Sequence, residues 1–294
     1  HSKNYFLRKY KFGISEDEIC FEHRLINHAI ANGLSIAAGV IVNRRGSTFV
    51  KPSGSADMFA VYEFLAGEDK YTWDNPNLDS DEEYVNSAEV LAVFHNSTRD
   101  FDPGGLRREE AKILDLMPTL PALFREYAAR DLSTKFHHYF SESIDSVITV
   151  MEKNRISRQD AALMPVNPGH YDYHPGNLKF QGSKVVGIFD FDWSKIDLRL
   201  FDVCYSLIYF CCSWNSDDDG EMQPDHMVLF LKSYQETLKR LNGLPPLNKV
   251  ELDNFPVMLA LSNIYLIRWE LNDYYTLTSP NDYEYLAFLK HSVR

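Results

Sequence analysis

The segment His170-Tyr171-Asp172-Tyr173-His174-Pro175-Gly176-Asn177 constrains this chain more than any other. Pro175-Gly176 forces a turn between Asp172 and Asn177. Two short apolar runs follow, Leu178-Lys179-Phe180 and Val185-Val186-Gly187-Ile188-Phe189, separated by Gln181-Gly182-Ser183. This pattern predicts a β-hairpin. The first strand starts where the loop ends, and the second runs into Asp190. A carboxylate, an amide and a second carboxylate are thus carried by one loop and one hairpin. The bland alternative is an Asx-turn aspartate and a loop asparagine beside an ordinary hairpin.

Phosphoryl transfer needs such a set. One carboxylate orients a hydroxyl and accepts its proton. An amide oxygen and a second carboxylate hold Mg²⁺ on the phosphates. Asp172 suits the first task, and Asn177 and Asp190 the second. Asp192 lies two residues further on and suits either a second ion or a structural role. Other routes lack their motifs: the chain contains no Gly-x-x-x-x-Gly-Lys-Ser/Thr loop, no His-Glu-x-x-His and no Gly-x-Ser-x-Gly.

The stretch from Met164 to Leu207 resembles the aminoglycoside phosphotransferase family, the choline-kinase-like small-molecule kinases. The family pattern is H-G-D-x-x-x-x-N, an apolar strand ending I-D-F/W, then D-P-x-x-x-D-L. Here it reads His170-Tyr171-Asp172, Asn177, Phe189-Asp190-Phe191-Asp192 and Asp197-Leu198-Arg199-Leu200-Phe201-Asp202. Tyr171 replaces the usual Gly and Leu198 the usual Pro. The resemblance implies an α+β, bilobal protein-kinase-like fold. Residues 1–65 would form a small β-rich N-lobe with a hinge at about 60–67. Residues 66–294 would form a large, mainly helical C-lobe. The implied cofactors are ATP and Mg²⁺, and the implied reaction is direct in-line transfer with Asp172 as base. His170 belongs to the same catalytic motif. Asp202 would brace the loop by accepting hydrogen bonds, or simply answer a helix dipole.

The front of the chain fits a kinase small lobe. Tyr5 to Tyr10 alternates as a strand, with Leu7 expected toward the core. Ser15-Glu16-Asp17-Glu18 opens a helix with a capping box, ending at Asn32-Gly33. Strands are expected near 38–42, 47–51 and 57–62. In the family a basic strand residue holds the nucleotide phosphates and pairs with a helix Glu. Arg8 and Glu22 take those places, against the alternative of two solvated side chains. Glu63 and Leu65 mark the expected hinge that binds adenine. The family also has two strands and a glycine loop before this strand. Only four residues precede Tyr5, so the lobe is expected to be truncated at the front.

The 294 residues are 45% apolar and 14% aromatic, which suits a packed two-lobe globule. A net charge of −12 argues against a nucleic-acid partner and accords with a cationic acceptor. No apolar run is long enough to cross a membrane. The start is not a signal peptide, and Cys20, Cys204, Cys211 and Cys212 have no C-x-x-C spacing. Buried thiols in the reducing cytoplasm are expected. A helix is predicted near 80–98, with His95 as a structural histidine. Residues 107–164 read as mainly helical, and further helices are predicted near 199–214, 222–242, 249–277 and 281–292.

The acceptor side is drawn from two segments. Asp217 lies in an acidic loop that borders the acceptor site in the family, or is merely solvated. Arg268, Trp269, Glu270 and Asp273 share a helical stretch. There Trp269 and Tyr274 either box an ammonium group or are core aromatics. The resemblance is nearest to the homoserine-kinase-like branch. It ranks homoserine or a related amino alcohol first and an aminoglycoside second. The acceptor is therefore a small hydroxylated cation or zwitterion. The alternative from another class is a non-catalytic kinase-like scaffold, such as the spore-coat relatives. A protein kinase is disfavoured because no Ala-Pro-Glu segment follows Asp190.

Overall fold

The structure is a computed structural model that describes residues 3–70, 78–213, 220–277 and 279–294. In chain order the first elements are β1 (Tyr5–Lys9), α1 (Glu16–Ala31), β2 (Phe49–Val50), β3 (Phe59–Glu63) and α2 (Asp81–Ser97). Short helices α3 (Ile113–Leu116) and α4 (Leu120–Ala128) precede α5 (Lys135–Lys153) and α6 (Arg158–Leu163). Then come β4 (Val166–Gly169), β5 (Leu178–Gln181), β6 (Lys184–Ile188), β7 (Lys195–Leu198) and α7 (Arg199–Cys211). The remainder is α8 (Pro224–Leu241), α9 (Lys249–Asp253), α10 (Phe255–Thr276) and α11 (Asp282–Val293).

The chain divides into two compact units that each use separated stretches of sequence. One comprises the chain up to Glu110, Asn167–Ile196 and Val228–Pro246. The other comprises Ala111–Val166, Asp197–Met227 and Leu247–Arg294.

In the first unit an antiparallel sheet runs β1-β3-β2. Helix α1 starts as expected. Ser15 Oγ accepts from the Glu18 N–H, and the Glu18 side chain accepts from the Ser15 N–H, a capping box. Buried Ile19, Phe21, Leu25, Ile26 and Ala29 make its inner stripe. The predicted hairpin is present as β5 and β6, turning at Gly182 with φ +60°. Gly187 on β6 is required by close packing. A Cβ there would lie 3.0 Å from both Leu65 Cδ1 and Lys179 Cβ.

Three local expectations are corrected. Leu7 is 65% exposed, because period-2 alternation turns Arg8 and Tyr10 inward instead. The strand expected at 38–42 is not continuous: Val40 makes an isolated bridge to Tyr62, and the Ile41 N–H donates to the Val61 carbonyl at 2.8 Å. The strand expected at 47–51 shrinks to the two residues of β2.

The second unit is mainly helical. Helix α10 packs on α7 and α11, and α5 packs on α4 and α11. The helix expected over 249–277 is broken at Asn254. Pro256 sits in the first turn of α10, where a missing N–H costs nothing. Arg199 and Glu251 form a fully buried pair at 2.6 Å that joins α7 to α9. Among the described residues no helix is long and apolar enough to cross a membrane.

Candidate active site

The loop from His170 to Asn177 is fastened to the end of β6 through one residue. The Phe189 N–H donates to the Asn177 carbonyl at 3.2 Å. The Phe189 carbonyl accepts from His170 Nε2 at 3.1 Å, which fixes the imidazole proton on Nε2. His170 is fully buried, and its ring lies 4.6 Å from that of Phe191. His170 therefore holds the loop in place rather than meeting a substrate.

These bonds register Asp172, Asn177 and Asp190 against one another. Asn177 Nδ2 donates to the Asp172 carbonyl at 2.8 Å and to its carboxylate at 3.0 Å. Both amide hydrogens are thereby used, which leaves Asn177 Oδ1 for a cation. The backbone is strained at two points. Tyr171 has φ +64° and Asp190 φ +65°, in the left-handed region that costs non-glycine residues ~1–3 kcal/mol. Tyr171 thus occupies the very position where the sequence pattern has Gly. His174, overlooked in the sequence, lies 3.7 Å from Asp172 Oδ2. Its Nδ1 accepts from the Gly176 N–H at 3.0 Å, and burial lowers its pKa to about 4, so it is neutral near pH 7. Its position between Asp172 and Asn177 was the available clue.

Arg8 reaches this centre from β1. Its Nη2 lies 2.6 Å from Asp192 Oδ2 and 3.0 Å from Asp190 Oδ1, while Nη1 is 3.9 Å from Glu22 Oε1. The sequence expectation of Arg8 braced chiefly by Glu22 is therefore revised. The guanidinium fork spans three acids and leans toward the two aspartates. Burial opposes its charge, yet Asp192, Asp190 and Glu22 together raise its pKa. Burial raises Asp192 to about 6, aided by Asp190 and opposed by Arg8. Burial likewise raises Glu22 to about 7 against the pull of Arg8.

Behind Arg8 lies a polar network absent from the sequence reading. Tyr62 OH donates to Glu22 Oε1 at 2.8 Å. Tyr10 OH is 2.6 Å from Tyr62 OH and 2.8 Å from His23 Nε2. His23 Nδ1 meets Thr48 Oγ1 at 2.7 Å. Burial lowers His23 to about 4, so this network is neutral apart from Glu22.

A cavity of about 410 Å³ opens over these groups. Arg8, Glu22 and Asp190 line it together with Glu63, Leu65 and Lys179. The hinge residues expected from sequence therefore share one cavity with the charged centre. Strand β3 ends at Glu63, so the Phe64 and Leu65 amides lie outside the ladder.

The donor set suits a hard cation. Asp190 Oδ1 is buried and accepts no hydrogen bond, with Arg8 as its charged neighbour. Asn177, Asp190 and Asp192 supply oxygens alone, as Mg²⁺ prefers. Among the described residues no group of three His, Cys, Asp or Glu side chains forms a closed cage. A cation here would rely on the Asn177 amide oxygen and on phosphates.

A sequence profile of the phosphotransferase enzyme family matches residues 1–244. The chain belongs to that family. The phosphotransferase is 23% identical over 269 residues to a homoserine kinase of Parvibaculum lavamentivorans, covering 92% of this chain and 74% of that one. Its fold matches an amicoumacin kinase in complex with AMP-PNP and Ca²⁺, with TM-score 0.63 and 21% identity, over 99% of this chain and 82% of that one. It also matches a microcompartment-associated aminopropanol kinase, with TM-score 0.63 and 14% identity, over 99% and 84%. The fold is thus the protein-kinase-like one of these enzymes, and the phosphotransferase is a small-molecule kinase.

The remaining expected residues of the phosphotransferase lie in the second unit. Asp202 is fully buried in the first turn of α7, and its carbonyl accepts from Ser206 Oγ. On α10, Arg268, Trp269 and Asp273 are half-buried, and Asp273 accepts from Tyr285 OH. Glu270 is corrected as an acceptor ligand. It is fully buried, receives Ser292 Oγ at 2.8 Å and is pushed by burial to about 8. A neutral, enclosed carboxyl does not bind an ammonium group. The expected Trp269–Tyr274 box is corrected too, since Tyr274 is buried and stacks on Phe136 at 3.8 Å. Asp217 lies outside the described residues. His95 is structural as expected, buried with Nδ1 2.7 Å from Tyr234 OH.

Proposed function

We propose that this kinase transfers the terminal phosphoryl group of ATP to the hydroxyl of a small amine-bearing acceptor. Homoserine or a related amino alcohol ranks first and an aminoglycoside second. The observation that carries the reading is the tether between Asn177 and Asp172 beside Asp190. It presents one carboxylate to a hydroxyl and keeps an amide oxygen and a second carboxylate for Mg²⁺.

Each group has a definite task. Asp172 is 25% exposed, open enough to meet an incoming hydroxyl and take its proton. Asn177 and Asp190 would hold Mg²⁺, with Asp192 assisting; the ion would supply charge neutralisation on the phosphates. Arg8 steadies the phosphates from β1, with Glu22 behind it. The Phe64–Leu65 backbone receives the adenine edge, and Leu65 covers one face. Positioning and charge account for the catalysis, so no phosphoenzyme is needed.

The acceptor ranking is supported by the homoserine and aminopropanol kinases, whose named substrates carry both a hydroxyl and an amine. The net charge of −12 favours cations in general. The test is direct. Incubate the protein with Mg·ATP and homoserine, several amino alcohols and several aminoglycosides, and repeat with Asp172→Asn. Phosphorylation of an amino alcohol, lost in the variant, is expected. Turnover undiminished by the substitution overturns the base assignment.

A further inference from the structure

The geometry points to Lys195 as a positioning residue for the phosphoryl-transfer loop: through Tyr171 it holds the peptide unit from which Asp172 projects. The inference rests on the reading of Asp172 as the base, and it begins from the strain at its neighbour. Tyr171 stands at φ +64°, a conformation that glycine adopts freely and tyrosine does not. Something must hold it there.

Two consecutive residues do so from one side. Ser194 is fully buried, and its Oγ donates to the His170 carbonyl at 3.4 Å. Lys195 follows, with Nζ 4.3 Å from the centre of the Tyr171 ring. The ring is 2% exposed and Lys195 4%, so this cation–π contact is shielded from water and correspondingly strong. Lys195 is itself fixed by Glu110, Nζ to Oε2 at 2.7 Å. The Ser194 N–H donates to the Phe191 carbonyl at 2.9 Å, which sets the turn leading from Asp192 to Lys195. The His170–Tyr171 unit is therefore gripped at a carbonyl and at a ring.

This arrangement gives the tyrosine a use. A glycine would tolerate the left-handed conformation but would not enforce it. Tyr171 accepts the strain and, clamped by Lys195, leaves Asp172 one orientation. Lys195 is buried between the Tyr171 ring and Glu110, so its effect passes through Tyr171.

The test uses Lys195→Met, alone and with Glu110→Gln so that no buried acid is left unpaired. Two further variants are Lys195→Arg and the pair Tyr171→Gly/Lys195→Met. In Lys195→Met/Glu110→Gln, kcat is expected to fall about 10- to 100-fold with little change in nucleotide KM. Lys195→Arg, which keeps a cation on the ring, is expected to recover most of the rate. Tyr171→Gly is expected to relieve the Lys195→Met defect, because the strain is gone. Amide hydrogen exchange at residues 170–174 should quicken in Lys195→Met and stay near the wild-type rate in Lys195→Arg. An unchanged kcat with unchanged exchange overturns the clamp, as does a defect that Tyr171→Gly fails to relieve. Full turnover in Asp172→Asn would remove the base assignment, while the exchange result would still decide the clamp.

Discussion

Asn177 spends both hydrogens of its side-chain amide on Asp172, one on the carbonyl at 2.8 Å and one on the carboxylate at 3.0 Å. In the proposed mechanism one side chain thus links the proton acceptor to the metal-holding oxygen. Asn177→Ala loses both functions together. The expected result is a kcat at least ~100-fold lower at saturating nucleotide, since misplacement of ~1 Å costs that much. Steady-state kinetics on the best acceptor checks it. A loss confined to acceptor KM would argue against the link.

Tyr62 and Glu22 make a second testable pair. Tyr62 OH donates to the ionised form of a buried carboxyl, and a bond of that kind is worth ~1.5–3 kcal/mol. Glu22 is raised from 4.5 to about 7 in the fold. Its protonated form is therefore favoured by folding, and that contribution is whole below pH 4.5 and fades as pH rises through about 7. Tyr62→Phe removes support from the charged form alone. The destabilisation measured by urea unfolding should be small at about pH 5 and larger at about pH 8. The reverse order would contradict the assigned donor.

Much of this was legible in the sequence because it is local. The capping box at Ser15, the turn at Pro175-Gly176 and the hairpin at Gly182 depend on neighbours a few residues apart. The clustering of Asp172, Asn177 and Asp190 was legible for the same reason. What escaped was set by distant partners. Arg8 meets Asp192 across 184 positions, and no spacing rule marks that. The Tyr10–Tyr62–His23 network joins the segment just after β1 to β3 and α1. Glu270 and Tyr274 looked available because helical spacing says which residues share a face but not which face is covered. Only the packing of α11 and α5 encloses them.

Glu270 itself gives a pH prediction. Burial raises its pKa from 4.5 to about 8, opposed by the Ser292 hydroxyl. Folding again favours the protonated form. The wild type is expected to lose stability relative to Glu270→Gln as pH rises from about 4.5 to 8, by ~1.4 kcal/mol per pKa unit at most. Thermal melts of both proteins at about pH 5, 6.5 and 8 follow the difference. A gap that does not change with pH would mean that Glu270 is ionised throughout.

Removal of divalent cations separates chemistry from folding. Excess chelator should abolish turnover, and Mg²⁺ should restore it. The fold should not respond, because Arg8 already offsets Asp190 and Asp192. Melting temperature without nucleotide is therefore expected to be nearly the same with and without chelator. A large drop would assign the ion a structural role instead.

Arg8→Lys keeps the charge and tests whether the guanidinium fork matters. Arg8 places one nitrogen on the two aspartates and extends the other toward Glu22. A lysine ammonium is a point charge and cannot span all three acids. If the substituted ammonium settles on the aspartates, Glu22 loses its cationic neighbour and its pKa climbs further. If it settles on Glu22, Asp192 loses its cationic neighbour and releases its proton less readily. Either way the pH profile of kcat/KM should move toward alkaline values on its acid limb, while kcat on the plateau changes less than ~10-fold, because the charge is kept. Arg8→Met, which leaves the acids uncompensated, should instead raise nucleotide KM sharply and cost ~3–5 kcal/mol of stability. An Arg8→Met protein with wild-type nucleotide KM would remove Arg8 from the phosphate site.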